Sequence, residues 1–440
     1  MIPPIILIVL FSAFVFHYIN VMVKRQDDLH AFAFFVLYIY TIFAQIGYAY
    51  FPELSIFIGA YFGPKLFYEY WLFIFLSFFF TYAIYLKVTI IGKNRILFKV
   101  QVSNSKYRQN IFFFITIVLF LSLFIFFNLK RSQFAWGAGN PMVSQWFGLG
   151  FGLFSICVFY LYVLFRNKSF KKKTRQLSLF LFLIFISFII TVSIAAGARS
   201  NILYFFLTLF FYEVTPLINT IRFHKKLLFI SLFLGIPLIN GLMIISNVRE
   251  TGATNLTFST LLKSNKNDEN SSNKSLSENI ILQDYYTPSH LLFISMHYNI
   301  VDPIETLKSN LANSFIFFKY PYLTQTISKI NGNDYERGEG WGYYFFVEGY
   351  NALGWFGIFY NAIFWNLCMG LWCLLTKSDN HNFNKIILSV LTLLIVGAMR
   401  SGQTCSFIHQ FWLILIPAFI LLSFATNSKI VILKNKKYVR

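Results

Sequence analysis

The chain contains a series of apolar runs, each about as long as the hydrocarbon core of a bilayer is thick. A membrane-spanning helix needs about 20 consecutive apolar residues. Eleven segments approach that length: 2–23, 31–51, 67–86, 111–129, 147–165, 177–196, 202–218, 227–246, 352–375, 386–399 and 407–424. The seventh and tenth are short and the third begins indistinctly, so ten or twelve spans also fit the pattern. We therefore expect an all-α, polytopic membrane helix bundle of about 11 spans.

The composition excludes an ordinary soluble domain. Hydrophobic residues make up 57% of the 440 positions and charged residues 12%, against roughly a quarter charged in soluble domains. A net charge of +20 would indicate nucleic acid for a soluble protein, but here the basic residues concentrate in short loops, where topology explains them. The four cysteines form no CxxC pair, so neither a disulfide framework nor a zinc site is predicted.

The positions of Lys and Arg predict the orientation, because cytoplasmic loops carry an excess of these residues. Segments 87–110 and 166–176 hold six each, 219–226 holds three, 24–30 and 376–385 hold two each, and the C-terminal tail holds five. All of them fall on one side of the eleven-span scheme. The short loops of the other side hold Lys65, Lys130, Arg131, Arg199 and Arg400. We therefore predict an outer N-terminus, a cytoplasmic C-terminus and an outer position for Arg199.

The spans divide the chain into three parts. Residues 1–246 form an N-terminal membrane bundle of about eight spans, residues 247–350 a large outer loop, and residues 351–440 a C-terminal bundle of about three spans with a basic tail. The first span has no basic region before it and no small-residue cleavage site, so we interpret it as retained and not as a signal peptide. The beginning of the loop is rich in Asn, Ser and Lys, a composition that predicts mobility.

One segment of the large loop, VDPIETLKSNLANSFIFF, has the pattern of an amphipathic helix. Asp302 suits the N-cap, Pro303 the first helical position, and Glu305 completes a capping-box-like start. The apolar residues that follow recur every three or four positions, the spacing of one helix face: Ile304, Leu307, Leu311 and Phe315. We expect this helix to lie on the outer membrane surface or over the span ends. A helix that only closes a small extramembrane core is the alternative.

Four arginines and no lysine lie near the outer ends of the predicted sixth, eighth, ninth and tenth spans: Arg199, Arg249, Arg337 and Arg400. The planar guanidinium fork binds two phosphate or carboxylate oxygens at once, whereas an ammonium is a point charge. Arg199 stands in the short apolar turn AAGARSN, and arginine costs about 2.5–3.5 kcal/mol at the centre of a membrane helix. The pattern favours an anionic ligand at the outer face. For each arginine alone, the alternative is an interface anchor whose side chain extends to the headgroups.

Three ionisable residues near the same span ends are candidates for proton transfer: Glu348, Glu339 and His409. Apolar sequence flanks Glu348 on both sides, so a partner arginine or a catalytic task would explain it, and an interaction with a helix dipole is the alternative. Glu213 lies fourteen residues after Arg199, about 21 Å along a helix. We therefore expect Glu213 at the cytoplasmic end, near Arg222 and away from the outer site.

The motifs of nucleotide and metal chemistry are missing from the sequence. The chain has no Walker A loop, no GxGxxG after a strand, no HExxH and no DxD. Its only two adjacent aspartates, Asp27 and Asp28, lie on the predicted cytoplasmic side. We expect neither a cofactor nor a metal. A substrate at the outer face would have to arrive already activated and soluble in lipid.

In GARSNILYFF and FFVEGYNALGWFGIFYN the chain resembles the bacterial O-antigen polymerase family, the Wzy-type oligosaccharide repeat unit polymerases. The first stretch resembles the Gly-x-Arg turn that opens a span in these polymerases and in the related O-antigen ligases. The second resembles the family's Glu- and Asn-containing entry into the span after the large loop. The span number and the single large loop in the second half agree with the resemblance. The repeated arginine-glycine spacing of some members is not present, since Phe210 stands eleven residues after Arg199.

The resemblance implies a GT-C-like, metal-independent glycosyltransferase of the bacterial inner membrane. Its substrate would be an undecaprenyl-pyrophosphate-linked repeat unit at the periplasmic face, and a flippase and a chain-length regulator would be its pathway partners. Arg199 is the first choice for stabilising the leaving pyrophosphate, with Arg249, Arg337 and Arg400 sharing phosphate binding. Glu348, then Glu339, then His409 are the choices for the base. The alternatives are an O-antigen ligase, which transfers finished polymer to the lipid A core, and a lipid-linked oligosaccharide flippase or other transporter.

Overall fold

The structure is a computed structural model, and helices make up most of it. It describes residues 4–25, 27–50, 64–92, 98–102, 106–130, 141–168, 170–195, 199–214, 302–315, 345–376, 380–426 and 428–432, with short pieces between 291 and 326. Helices α1 to α7 are Pro4–Lys24, Asp28–Tyr50, Pro64–Gly92, Lys106–Leu129, Pro141–Arg166, Lys172–Ala195 and Arg199–Val214. Helix α8 is Pro303–Ser314. Helices α9 to α13 are Phe345–Leu353, Gly357–Leu374, His381–Ser401, Thr404–Gln410 and Ile416–Ala425. A 3₁₀ turn, Gly354–Phe356, joins α9 to α10, and a π-helical turn, Phe411–Leu415, joins α12 to α13.

Eight helical segments of the described chain are long and apolar enough to cross a membrane. They coincide with eight of the eleven predicted spans: the first, the third to the sixth, and the ninth to the eleventh. The second predicted span is helix α2, of 23 residues, and the seventh is α7, of 16 residues. The eighth, 227–246, lies outside the described residues. The prediction of a polytopic helical membrane protein is thus confirmed, while the count of eleven stays a prediction.

Aromatic side chains fill the spaces between the N-terminal helices. Phe120 of α4 lies 4.8 Å from Phe185 and 5.1 Å from Phe188 of α6, measured between ring centroids, and Phe154 of α5 lies 5.4 Å from Phe185. Such distances are those of favourable edge-on and offset aromatic pairs. Because rings of this size bury a large area, the three helices form one contiguous core.

The C-terminal helices pack directly against the N-terminal ones. Helix α10 lies along α3, α11 lies against α2 and α7, and α13 lies against α4. Asn366 of α10 donates its amide to the Thr81 carbonyl of α3 at 2.9 Å, and its neighbour in the core, Trp365, is fully buried. The described helices α1–α7 and α10–α13 therefore share one hydrophobic core.

A two-stranded antiparallel sheet joins two segments that are distant in sequence. Strand β1, Phe98–Val102, pairs with strand β2, Ser428–Ile432, with Val100 opposite Ile430. The apolar patterning of the sequence did not reveal these strands. Paired strands lie about 5 Å apart, so residues 98–102 of the basic 87–110 loop and residues 428–432 of the C-terminal tail lie at the same end of the bundle.

Four further contacts bring described residues of the basic segments 24–30, 166–176 and 376–385 to the end of the bundle that carries the sheet, here named the basic end. Tyr85 donates to Asp27 at 2.7 Å, and the thiol of Cys373 lies 3.2 Å from His30 Nδ1. Arg166 donates to both oxygens of Glu213, at 2.7 and 2.8 Å. Lys385 Nζ lies 3.8 Å from the centre of the Tyr212 ring. These contacts lie at one end of the bundle, and the common side of the membrane predicted for the basic segments stays a prediction.

Glu213 lies at the basic end, as expected from its distance along the helix from Arg199. Its partner in the structure is Arg166, with Tyr162 donating a further hydrogen bond at 2.9 Å. The expected neighbour Arg222 lies outside the described residues. Because Glu213 is engaged at this end, it takes no part in a site at the opposite end.

Candidate functional site

Glu348 is a fully buried carboxylate at the end of the bundle opposite the basic end. It lies in the first turn of α9, a position where the unpaired N–H groups and the helix dipole favour a negative charge. Its Oε2 accepts the backbone N–H of Thr404 at 2.7 Å. Its Oε1 accepts hydrogen bonds from the Asn310 amide and from the Thr404 and Tyr360 hydroxyls. We call these four residues the Glu348 cluster.

Thr404 reaches the cluster because α11 ends in a tight turn. Gly402 has a left-handed backbone, φ 62° and ψ 9°, which caps α11 and lets the chain reverse. Gln403 then precedes α12, which begins at Thr404. The first N–H groups of a helix have no partner within it, so the Thr404 N–H is available to a carboxylate. Glu348 therefore lies at the N-terminus of α12 as well as in the first turn of its own helix.

Tyr360 reaches the cluster because the chain bends sharply between α9 and α10. The Tyr360 hydroxyl lies 3.2 Å from Glu348 Oε1, although residues twelve apart in a straight helix would be about 18 Å apart. Gly354, with φ 57°, provides the left-handed residue at the bend. A Cβ atom at Gly357 would overlap the Gly349 carbonyl, so only glycine allows this approach. The predicted start of the ninth span, residue 352, thus falls at a bend that follows a separate short helix.

Asn310 reaches the cluster from the large loop. It lies in α8, which begins as predicted: Asp302 caps the helix by accepting the Ile304 N–H at 2.6 Å, and Pro303 is the first helical residue. Helix α8 packs against α9 and α12. Of the arrangements left open for this helix, the structure shows contact with the span ends, while its position relative to the membrane surface stays a prediction.

The donors around Glu348 in the described chain are neutral. An ionised carboxylate only accepts hydrogen bonds, and each oxygen has room for about two; here Oε1 has three donors and Oε2 has one. Burial of a charge without such bonds is strongly unfavourable, which explains why polar groups from four separate helices converge here.

The helices that carry Arg199 and Arg400 bring their backbones to the same end as Glu348. Helices α7 and α11 pack together, and Tyr212 meets Lys385 at the basic end. Arg199 is the first residue of α7, thirteen residues before Tyr212, and Arg400 lies fifteen residues after Lys385. Both positions are therefore about 20 Å from that contact. Arg400 also lies within about 14 Å of Thr404, since only four residues separate them.

His409 lies in α12, five residues after Thr404. It is half-buried, and its Cα lies about 7.5 Å further along the helix than that of Thr404. The remaining predicted site residues, Arg249, Arg337 and Glu339, lie outside the described residues. Among the described residues, no three His, Cys, Asp or Glu side chains lie close enough to hold a metal ion.

Sequence reasoning missed Asn310, Tyr360 and Thr404. Two local signals in the sequence point in retrospect to Thr404 and to Asn310. Thr404 follows a Gly-Gln turn directly before an apolar run, where helix starts favour hydroxyl side chains. Asn310 belongs to a set of small polar residues that recur on one side of α8. A polar face of this regularity indicates a helix side that can form hydrogen bonds to another polar group.

Comparison of the chain with protein-family models, with curated proteins and with solved structures gives no match in any of the three.

Proposed function

We propose that the protein polymerises undecaprenyl-pyrophosphate-linked O-antigen repeat units at the periplasmic face of the bacterial inner membrane. One observation supports this most: the ends of α7 and α11 that carry Arg199 and Arg400 share one end of the bundle with the buried carboxylate of Glu348. That end is opposite the basic end, which the excess of Lys and Arg assigns to the cytoplasm. In this orientation the N-terminus is periplasmic and the C-terminus cytoplasmic.

The reaction moves a growing chain from its lipid carrier to the non-reducing end of another unit. A sugar hydroxyl of the acceptor forms a bond to the anomeric carbon of the donor. The bond from that carbon to the diphosphate oxygen breaks, and its electron pair leaves with the lipid diphosphate. Negative charge develops on the leaving group, and fixed guanidinium groups in a site of low dielectric constant stabilise such charge without a metal.

The proton of the attacking hydroxyl requires a base within hydrogen-bond reach. Glu348 is the first choice, because it is the carboxylate that the fold buries at this end. The Asn310 amide and the Tyr360 hydroxyl occupy Oε1 in the resting protein. A sugar hydroxyl that replaces one of them would donate to the same oxygen and transfer its proton there. Arg199 stabilises the leaving diphosphate, and Arg400, with Arg249 and Arg337, binds its oxygens.

The test is a gel separation of surface lipopolysaccharide from a strain in which the gene is deleted and then restored as variants. We expect Arg199→Lys and Arg199→Ala to reduce long chains to single repeat units while the protein remains in the membrane. The matched control is Arg108→Lys at the basic end, where the guanidinium lies 5.3 Å from the centre of the Phe424 ring. This control should keep normal chain lengths, because lysine can retain the cation–π contact.

The deletion strain separates the competing functions. One repeat unit on each lipid A core indicates a polymerase. Accumulated lipid-linked polymer with bare core indicates a ligase, and absence of repeat units from the outer face indicates a flippase. Normal chain lengths in both Arg199 variants would contradict the role assigned to that residue.

A further inference from the structure

Helix α8 presents its apolar side outward and its polar side to the protein. The large apolar residues of the helix and its C-cap are exposed: Ile304 62%, Leu307 43%, Leu311 69% and Phe315 51%. The buried residues are all small and polar: Thr306, Ser309, Asn310, Asn313 and Ser314. At 100° per residue the four apolar positions fall within an arc of about 80°, roughly opposite the centre of the buried side. In water this arrangement would be the reverse of the usual one.

Buried hydrogen bonds fix the polar side in place. Asn310 donates to Glu348, and the Ser309 hydroxyl donates to the Pro321 carbonyl at 2.8 Å. Asn313 donates its amide to the same Pro321 carbonyl at 3.3 Å. Rotation of the helix to bury its apolar side would break these bonds and leave buried polar groups unpaired, which is costly. The outward direction of the apolar side is therefore set by the fold.

The depth of α8 relative to the membrane follows from the Glu348 cluster. Glu348 accepts hydrogen bonds from Asn310 at the middle of α8 and from Thr404, which is the first residue of a candidate membrane span, Thr404–Ala425. The helix is thus level with the boundary where that span enters the hydrocarbon. Its charged residues, Glu305 and Lys308, lie 3.4 Å apart on one edge of the apolar arc, as expected for a helix between lipid and water.

We propose that α8 is an interfacial helix whose apolar side chains, Ile304, Leu307, Leu311 and Phe315, lie in the acyl-chain boundary of the outer leaflet. Bilayer lipid is the occupant of this surface, because the helix lies at the level of a span end and its polar side is already in contact with the protein. The helix then connects the membrane surface to Asn310, and through it to Glu348. The proposal does not rest on the function of the protein.

The experiment places a fluorescent NBD label at single introduced cysteines in the full-length protein. The four native cysteines are buried, so their background labelling is low. Leu311→Cys tests the apolar side, and Leu307→Cys is a second position if the first variant fails to fold. Glu305→Cys is the matched control, because it is exposed on the same helix about 120° from Leu311. Labelled protein is reconstituted in phosphatidylethanolamine–phosphatidylglycerol vesicles.

We expect the label at position 311 to emit at shorter wavelength, to be quenched by nitroxides on lipid acyl chains and to be protected from iodide. Its depth should be about 5–10 Å below the headgroups. The label at position 305 should be quenched by iodide and little by the lipid nitroxides. Equal iodide quenching at both positions would place α8 in water, and protection of position 311 from both quenchers would place another part of the chain over it. Either result overturns the proposal, and neither depends on sugar transfer.

Discussion

Removal of the Glu348 carboxylate should destabilise the protein more than removal of any exposed acidic group. Glu348→Ala leaves two buried donors, the Asn310 amide and the Thr404 N–H, without their acceptor. The Tyr360 and Thr404 hydroxyls lie 3.3 Å apart and can bond to each other. Since an unpaired buried donor costs about 1–3 kcal/mol, the expected loss is about 2–6 kcal/mol, with a further contribution from the cavity.

Glu348→Gln separates the structural role from the chemical one. Glutamine has the same shape, but it replaces one acceptor oxygen with an amide that faces a donor, at a cost of about 1–3 kcal/mol. The stability order should therefore be wild type, then Glu348→Gln, then Glu348→Ala. If Glu348 is the base, the glutamine variant should also form no polymer while it remains folded. Polymer formation by that variant would refute the base role and leave the hydrogen-bond network intact.

The measurement is equilibrium unfolding in mixed micelles. Glu305→Ala is the control, because this carboxylate lies on α8 but is exposed and pairs with Lys308 across a solvent-accessible 3.4 Å contact. Such a pair contributes about 0–1 kcal/mol, so the control should be close to wild type. If Glu348→Ala unfolded within about 0.5 kcal/mol of the control, the reasoning on the buried network would be wrong.

Two further predictions concern the fold. Gly357→Ala should destabilise the protein by about 1–3 kcal/mol in mixed-micelle unfolding, because the added Cβ would overlap the Gly349 carbonyl. The control is Gly370→Ala in the same helix, where an added Cβ meets nothing within 4 Å, so this variant should be neutral or stabilising. Equal effects of the two substitutions would contradict the bend. Val100→Cys with Ile430→Cys should form a disulfide under mild oxidation, since the two positions are opposite in the sheet and such Cα distances suit a disulfide. Failure to cross-link would contradict the strand pairing, and reaction of these cysteines with an impermeant thiol reagent from outside intact cells would contradict the predicted cytoplasmic side.

The sequence was most informative where one local rule decides the structure. Eight predicted spans coincide with membrane-length helices, because an apolar run of that length can satisfy its backbone in a bilayer only as a helix. The start of α8 was also predictable, since Asp302 and Pro303 fix it within one turn. The prediction that the 24–30, 87–110 and 166–176 segments share one side of the membrane rests on charge alone.

The Glu348 cluster was only partly predictable. Its carboxylate was recognised because an acidic residue in apolar sequence requires an explanation. Its partners were not, since Asn310 lies 38 residues before it and Thr404 lies 56 residues after it. A hydrogen bond between residues so far apart leaves no local pattern. An arginine partner, one of the explanations that the sequence left open, was an equally reasonable choice for the same sequence.

Helix α8 shows most clearly which features the sequence determines and which ones only the tertiary structure decides. Its sequence by itself determined that residues 303–314 form a helix with apolar and polar sides, because periodicity and capping depend on neighbours within a few positions. Only the tertiary structure decided which side packs against the rest of the protein, and that side is the polar one. The physical reason is that a buried carboxylate at the span ends requires hydrogen-bond donors. The apolar side then faces outward, as do Phe114, Phe180 and Leu367 on the membrane helices.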